Sequence, residues 1–144
     1  MSRPILHATD FSPASRAAFA KAVQLAKRER APLTIAHVMA PPVLMLGDGY
    51  VSPTTWEEID RAQRATSKKK LDALVARARA AGVRVRGLLL EGQPAEQILR
   101  AARGAGLVVI GTHGRTGLAR FILGSVASRV VAGARSPVLT VRGK

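Results

Sequence analysis

The fold is decided by the stretch from Leu107 to Ser125, which reads Leu-Val-Val-Ile-Gly-Thr-His-Gly-Arg-Thr-Gly-Leu-Ala-Arg-Phe-Ile-Leu-Gly-Ser. Its first four residues are uniformly apolar, which is typical of a central parallel strand covered by helices on both faces. A glycine-rich segment follows, and a helical pattern then runs from about Ser125 to Ala134. This order of strand, glycine-rich loop and helix predicts an α/β fold with an anion site at the loop.

The rest of the chain also alternates between strand-like and helix-like segments. Apolar or β-rich stretches that predict strands lie at residues 4–9, 33–38, 83–90, 107–110 and 137–141. Helical patterns lie between them, the first of which is introduced by Ser12-Pro13. This alternation implies right-handed crossovers and a parallel sheet between two layers of helices. The length of 144 residues suits one compact domain spanning 1–144.

The long second helix and the last helix carry specific predictions about their ends and faces. Residues 40–54 combine prolines and glycines with apolar side chains, which favours a long loop. Thr55 is expected to cap the helix that follows, and Gly82 is expected to end it. Helical spacing predicts that Ile59 in this helix and Val131 in the last helix face the core.

Four residues of the deciding stretch suit a phosphate group. Glycines at 111 and 114 allow backbone N–H groups to approach an anion, because no Cβ stands in the way. The N–H groups near Gly124 and Ser125 open the next helix, so they are expected to be unpaired donors with a favourable dipole. The Ser125 hydroxyl is a further donor and a candidate cap for that helix.

These four residues match the spacing G-x2-G-x9-G-[S/T], and the chain resembles the ATP-binding branch of the universal stress protein A family. The resemblance covers essentially the whole chain. It is carried by Ala-Thr-Asp-Phe-Ser-Pro-Ala-Ser (8–15), Ala-His-Val (36–38), Val-Ile-Gly-Thr-His-Gly-Arg-Thr-Gly (109–117), Leu-Gly-Ser-Val-Ala (123–127) and Ser-Pro-Val-Leu-Thr-Val (136–141).

The resemblance implies a three-layer sandwich with a five-stranded parallel sheet of order 3-2-1-4-5, of the adenine nucleotide alpha-hydrolase-like type. It also implies adenine near the ends of the first two strands and phosphates in the glycine loop. Asp10 is accordingly expected beside the ribose, and Val38 is expected to offer backbone groups to adenine. The other residues expected to bind the nucleotide are Thr9, Gly111, Thr112, Gly114, Arg115, Gly124, Ser125 and Val126.

Several of these residues also have plainer interpretations. Asp10 is equally placed in the sequence to cap the first helix. His113 and Arg115 can meet phosphate oxygens, Arg115 through a charge-assisted contact, or can face solvent. His7 and His37 lie within strands and are expected to be packed, hydrogen-bonded residues rather than ligands or bases.

The sequence offers binding chemistry without an evident catalyst. The P-loop pattern is missing, so no lysine is poised for a γ-phosphate. The turn after the first strand has no glycine, which argues against a dinucleotide fingerprint, and neither a nucleophile elbow nor a zinc-binding helix motif is present. We therefore predict no catalytic residues, no protein-bound metal site and at most slow hydrolysis of ATP. Mg²⁺ is a candidate companion of the triphosphate, with Asp10 the only plausible carboxylate nearby.

The composition of the chain limits its expected cellular location and the classes of partner that it can bind. The absence of cysteine excludes disulfides and thiolate metal sites. Neither a secretory leader nor an apolar run long enough to span a membrane is recognisable, so a cytoplasmic protein without membrane contact is expected. The net charge of +14 attracts anions, yet the basic residues are spread along the chain without interleaved aromatics. A solvated basic surface is therefore favoured over a nucleic-acid-binding surface.

The predicted function is that of an ATP-binding stress-response or regulatory module. Three alternatives stay open: a nucleotide-free interaction protein of the same family, a basic nucleic-acid-binding protein, and a slow ATPase whose turnover is the function. The resemblance further implies a homodimer joined through the last strand, Val138 to Val141. Pairing there would satisfy the backbone N–H and C=O groups at the open edge of this strand. In a monomer, Pro137 and Arg142 would instead have to prevent pairing with other chains at that edge.

Overall fold

The structure is a computed structural model that describes residues 2–40, 52–113 and 123–143. Within these residues five strands alternate with four helices. The elements in chain order are β1 (Ile5–Ala8), α1 (Pro13–Glu29), β2 (Leu33–Met39), α2 (Pro53–Ala80), β3 (Val85–Glu91), α3 (Pro94–Ala101), β4 (Leu107–Gly111), α4 (Ser125–Gly133) and β5 (Val138–Val141). The third strand thus begins at Val85, two residues later than predicted.

The five strands form one sheet of order β3-β2-β1-β4-β5, in which all four neighbouring pairs are parallel. This confirms the predicted α/β class and strand order. The register places Ala8 of β1 opposite Ala36 of β2 and Ile110 of β4. The three central strands run in the same direction and their carboxyl ends lie at one edge of the sheet, which brings the residues that follow them together.

Helices cover both faces of the sheet, as the predicted sandwich requires. On one face, α1 and α2 pack on Ile5, Leu33, Ile35 and Val109. On the other, α3 and α4 pack on Leu6, Ala8, Ala36, Val108 and Ile110. Successive side chains of a strand point to opposite faces, so every residue of β1 is buried, and its mostly apolar sequence, with His7 the one polar residue, follows from this position.

Small side chains bring α1 close to the sheet. Its inward positions Ala18, Ala22 and Ala26 are buried, and alanine allows a helix axis to approach a strand closely. The Ser12 hydroxyl accepts the Ser15 amide and caps the helix, with Pro13 in the first turn, as the sequence predicted. The start of α1 is therefore fixed beside the carboxyl end of β1.

The predicted start of α2 was wrong. The cap is Ser52, whose hydroxyl accepts the amide of Thr55, and Pro53 begins the helix. This repeats the Ser-Pro arrangement of α1, in which proline supplies a helical φ at a position that needs no donor. The predicted loop over 40–54 therefore ends before Pro53, and its residues 41–51 lie outside the described part of the chain. Gly82, with φ of 93°, follows the end of α2 as predicted.

Two side chains predicted to face the core are exposed. Ile59 of α2 is 43% exposed, and Val131 of α4 is 45% exposed. The buried positions of α2 begin only at Ser67, so the first half of this 28-residue helix has no fully buried residue. On α4 the buried positions are Ala127 and Val130, and Val131 lies about 100° around the helix from Val130. Among the described helices, none is both long and apolar enough to cross a membrane.

Candidate functional site

A cavity of about 320 Å³ lies at the carboxyl ends of β1, β2 and β4. The structure brings eight of the ten proposed binding residues together around it. These are Thr9, Asp10, Val38, Gly111, Thr112, Gly124, Ser125 and Val126. Gly114 and Arg115, the other two, lie outside the described residues. The convergence follows from the parallel topology, because chain segments that leave neighbouring parallel strands emerge at the same edge.

Part of the cavity wall is apolar, and the part that α3 supplies was not predicted from the sequence. Pro94 and Ile98 of α3 line it, together with Ala36 and Val38 of β2 and Ile110 of β4. A sequence signal was available, since Gly92-Gln93-Pro94 directly follows a strand and so emerges at the same edge. The apolar groups come from β1, β2, β4, α3 and α4, and they offer a surface on which a flat apolar ring system can pack.

The polar groups of the cavity come from the β1–α1 turn, the end of β4 and the start of α4. Asp10 and His113 are the titratable side chains among the described lining residues, and neither lysine nor arginine occurs in that set. Nδ1 of His113 lies 3.0 Å from the Thr112 hydroxyl oxygen. The cavity is therefore lined by both polar and apolar groups, which is the usual character of a site for an amphipathic small molecule.

A network of hydroxyl groups shapes the β1–α1 turn. The Ser15 hydroxyl donates to the Ser12 carbonyl oxygen at 2.8 Å, so the Thr9 hydroxyl must donate to Ser15 Oγ, 3.0 Å away. The Thr9 oxygen also accepts the Phe11 amide at 3.0 Å. This bond holds Phe11 at φ of 63°, a left-handed conformation that is rare for a bulky side chain. The turn is therefore fixed by side chains buried beneath the cavity.

Asp10 has a defined place in this turn. Its Oδ1 accepts the amide of Ser12 at 2.9 Å, while the cap of α1 is the Ser12 hydroxyl. The alternative that Asp10 itself caps α1 is therefore wrong. Because Asp10 lines the cavity while bonded to the turn, its carboxylate is held at the cavity wall.

The start of α4 closes the cavity with backbone groups. Gly124 is the N-cap, and no side chain caps the helix among the described residues. The amide of Gly124 donates to the Thr112 carbonyl oxygen, so the prediction that this amide is unpaired was wrong. Ser125 is the first helical residue rather than the cap, which also corrects the prediction for its hydroxyl. The amides of Ser125, Val126 and Ala127 have no acceptor within the helix and lie beside the cavity.

Gly111 lines the cavity and also packs closely against α1. A Cβ on this residue would lie 3.3 Å from the carbonyl oxygen of Ala14 in α1. The following amide, of Thr112, donates to the Val141 carbonyl oxygen in β5 at 2.9 Å. The sequence-based reason for a glycine at 111 was therefore incomplete, because it did not include this contact with α1.

Two histidines lie under the site, buried in the sheet face that α1 covers. Nδ1–H of His37 donates to the Thr9 carbonyl oxygen at 2.8 Å, and its ring stacks on Phe11 with 4.2 Å between ring centroids. Nδ1–H of His7 donates to the Val109 carbonyl oxygen at 3.0 Å, and its Nε2 is buried without a partner among the described residues. Burial lowers the pKa of His7 from 6.5 to about 4. Both histidines are packed residues, as expected from the sequence.

No group of three or more His, Asp or Glu side chains in the described residues is placed to hold a metal ion. Asp10 is the single carboxylate among the described residues that line the cavity. A cation at this site would therefore need most of its oxygen ligands from a bound molecule or from water.

The sequence comparisons with known proteins point to one family. The sequence profile described as the Universal stress protein family matches residues 1–142. A universal stress protein of Mycolicibacterium smegmatis is 37% identical over 139 residues, covering 96% of this chain and 45% of that protein. The chain thus spans less than half the length of this relative.

Two solved structures are similar over their whole length. The protein MJ0577 of Methanocaldococcus jannaschii superposes with a TM-score of 0.85 at 25% identity, covering 100% of this chain and 98% of that one. A universal stress protein in complex with cAMP superposes with a TM-score of 0.74 at 25% identity, covering 99% and 98% of the two chains.

Proposed function

Because the chain belongs to the universal stress protein family, we propose that it binds an adenine nucleotide, with ATP the first candidate, in the cavity at the carboxyl ends of β1, β2 and β4. Occupancy of this site would make the protein a regulatory module, since a ligand that binds one conformation of a protein shifts its population toward that conformation. The nucleotide would be the signal, and its binding rather than its conversion would be the function.

One observation carries the proposal: a helix start without a side-chain cap lies at a cavity that apolar groups of β2, β4 and α3 also line. The amides of Ser125, Val126 and Ala127 would bind phosphate oxygens, and the α4 dipole favours negative charge there. Adenine would pack against Val38 and Ile98. A nucleotide combines an anionic end, which suits the amides, with a flat apolar end, which suits the apolar groups. The related structure in complex with cAMP supports this class of ligand.

The sequence supports binding without rapid turnover. The P-loop pattern, which supplies a lysine to the phosphates in many enzymes of fast phosphoryl transfer, is missing. Asp10 would contact the ribose or approach a Mg²⁺ ion carried by the triphosphate. We expect any hydrolysis to be slow, and single-turnover measurement of phosphate release from bound ATP would detect it.

The proposal includes a homodimer joined through β5. This strand is at the edge of the described sheet, and its four residues are half-buried. An edge strand leaves backbone donors and acceptors unpaired, and pairing with a second copy about a twofold axis would satisfy them.

The decisive experiment is titration of nucleotide-stripped protein with ATP by calorimetry, using two variants of Ser125. Ser125→Asp adds a negative charge to the first turn of α4, where it favours the helix but repels a phosphate. Ser125→Asn introduces a side chain of nearly the same shape as aspartate but without its charge. We expect the Asp variant to lose at least tenfold in ATP affinity, because the repelled phosphate would also lose charge-assisted hydrogen bonds, while the Asn variant stays close to wild type.

Thermal unfolding of both variants provides the control for folding. Ser125 is exposed, so neither substitution should lower the midpoint of unfolding. Absence of ATP binding to the wild-type protein at millimolar concentration would defeat the proposal, as would equal affinity of the two variants.

A further inference from the structure

A second concave surface lies between α1 and α2, on the face of the sheet opposite α3 and α4. It is a groove of about 580 Å³. We call it the α1–α2 groove, and its described lining consists of Thr9, Phe11, Ser12, Ser15, Arg16, Phe19, Ala20, Val23, Lys70, Ala73, Leu74, Arg77 and Ala81. Its volume lies within the range of small-molecule sites, roughly 300 to 1,000 Å³.

The floor of the groove is apolar and aromatic. Phe19 is buried, and Phe11, Val23 and Leu74 are half-buried. Small side chains at Ala20, Ala73 and Ala81 leave the space above this floor open. An apolar body that filled the groove would remove these side chains from water, which is favourable in proportion to the area covered.

The rim of the groove is cationic. Nζ of Lys70 lies 5.8 Å from the centroid of the Phe11 ring, and Cζ of Arg77 lies 5.2 Å from the centroid of the Phe19 ring. Arg16 is the third cation. No Asp or Glu lines the groove in the part of the chain that the structure describes, and none of the three cations forms an ion pair there. The positive charge of the rim is therefore uncompensated by protein carboxylates.

We propose that the α1–α2 groove is a second binding site, for an amphipathic anion with an acyl or aryl body and a carboxylate or phosphate head. The body lies along the apolar floor beside Phe11 and Leu74, and the head contacts Lys70 and Arg77 at the rim. The charge complementarity favours an anion, and the apolar floor favours one with a hydrophobic part over a free inorganic ion.

The groove is separate from the nucleotide cavity, although the two are adjacent. Thr9 and Ser15 line both, and the β1–α1 turn stands between them. Asp10 lines only the cavity, and Phe11 lines only the groove. Binding in the groove does not depend on the proposed nucleotide function, so the two can fail independently.

The test is titration of nucleotide-free protein with decanoate below its micellar concentration, followed by calorimetry and by amide chemical shifts. We expect saturable binding of one decanoate per chain, with shifts at Phe11, Ala20 and Leu74. Acetate, which has the head without the body, should not bind measurably. The double variant Lys70→Gln with Arg77→Gln should weaken decanoate binding about tenfold or more, since it removes both head contacts.

Two further variants make the assignment specific. Lys69→Gln with Arg79→Gln removes the same charge from exposed neighbours in α2 that do not line the groove, and it should leave affinity unchanged. Ala73→Trp fills the groove from an exposed position, so it should abolish decanoate binding while ATP binding persists.

Four results would overturn the proposal. They are the absence of saturable decanoate binding, an equal loss of affinity in the two double variants, decanoate shifts confined to the nucleotide cavity, and binding to phosphatidylglycerol vesicles without binding to monomeric decanoate. The last result would assign the groove to a membrane surface instead of a small anion.

Discussion

The amide of Gly124 donates a 2.6 Å hydrogen bond to the carbonyl oxygen of Thr112, which joins the start of α4 to the residue after β4. The bond fixes the helix start at the cavity without any side-chain cap. A side-chain cap would compete with a ligand for the first amides of the helix, whereas a backbone bond outside the helix leaves them available. The amides of Ser125, Val126 and Ala127 are accordingly the donors that a phosphate would meet.

This arrangement predicts that affinity depends on the phosphates. Adenosine has the apolar ring and the ribose but no group for the start of α4. We expect adenosine to bind at least tenfold more weakly than ATP, because charge-assisted hydrogen bonds and the helix dipole favour the phosphates. Calorimetric titration of the same stripped protein with both ligands measures the difference. Equal affinities would mean that the helix start does not contribute to binding.

The second prediction concerns Thr9, whose hydroxyl joins Phe11 and Ser15 beneath the cavity. Thr9→Val keeps the shape but leaves the Phe11 amide without its acceptor, which should cost about 1 to 3 kcal/mol of unfolding free energy. ATP affinity should fall as well, since Asp10 lies between Thr9 and Phe11. Thr9→Ser keeps the hydroxyl and should retain both properties. Urea denaturation and ATP titration of the two variants check the prediction, and a fully stable Thr9→Val would contradict it.

The third prediction separates the charge of Asp10 from its structural role. The side-chain oxygen of Asp10→Asn can still accept the Ser12 amide, so the turn should persist. If the carboxylate binds the ribose, wild type should prefer ATP to its 2′,3′-dideoxy analogue by about tenfold or more, and Asp10→Asn should lose most of that preference. Asp72→Asn is the matched control, because Asp72 is exposed in α2 and remote from the cavity lining. An unchanged preference in Asp10→Asn would remove Asp10 from the proposed site.

The fourth prediction concerns pH and His7, whose pKa burial lowers from 6.5 to about 4. Above pH 6.5 the ring is neutral in both the folded and the unfolded chain, so its full contribution to stability is present. As the pH falls from 6.5 toward 4, the unfolded chain binds a proton that the folded chain refuses, and the folded state is destabilised. The loss should approach about 2 kcal/mol at pH 5.

Urea denaturation of wild type and His7→Gln at pH 7.5 and pH 5 measures this effect. Glutamine can still donate to the Val109 carbonyl oxygen but does not titrate. The decrease in unfolding free energy between the two pH values should therefore be smaller in the variant. Identical decreases in the two proteins would show that His7 does not cause the loss.

Much of the fold could be predicted because its central strands are buried. β1 and β4 consist mostly of apolar residues, and helical patterns such as the one introduced by Ser12-Pro13 separate the strands, so the α/β class follows from local patterns. The exposure of Ile59 could not be predicted in this way. It depends on how far the sheet extends under α2, which is a property of the assembled fold and not of helical periodicity.

The candidate site was predictable to a similar degree. Residues that follow parallel strands meet at one edge, which agrees with the expectation from the resemblance that Asp10 and Thr112 belong to one site. The paired amide of Gly124 was not expected, because its acceptor lies twelve residues earlier in the chain. Pro94 was missed because it carries no polar or charged group that would suggest binding. Its position soon after β3 was nevertheless the same kind of signal as the position of Asp10 after β1.

The last prediction tests the dimer through Thr140. The amides of Val108 and Thr112 donate to the carbonyl oxygens of Pro137 and Val141, so these two carbonyls point toward β4. Backbone groups alternate sides along a strand, so those of Val138 and Thr140 point to the open edge. Thr140→Pro should remove an edge donor and hinder pairing while the bonds to β4 persist. Light scattering should then report a single chain of 15.2 kDa, against twice that mass for wild type and for Thr140→Val. A Thr140→Pro protein that folds and remains dimeric would place the interface away from β5.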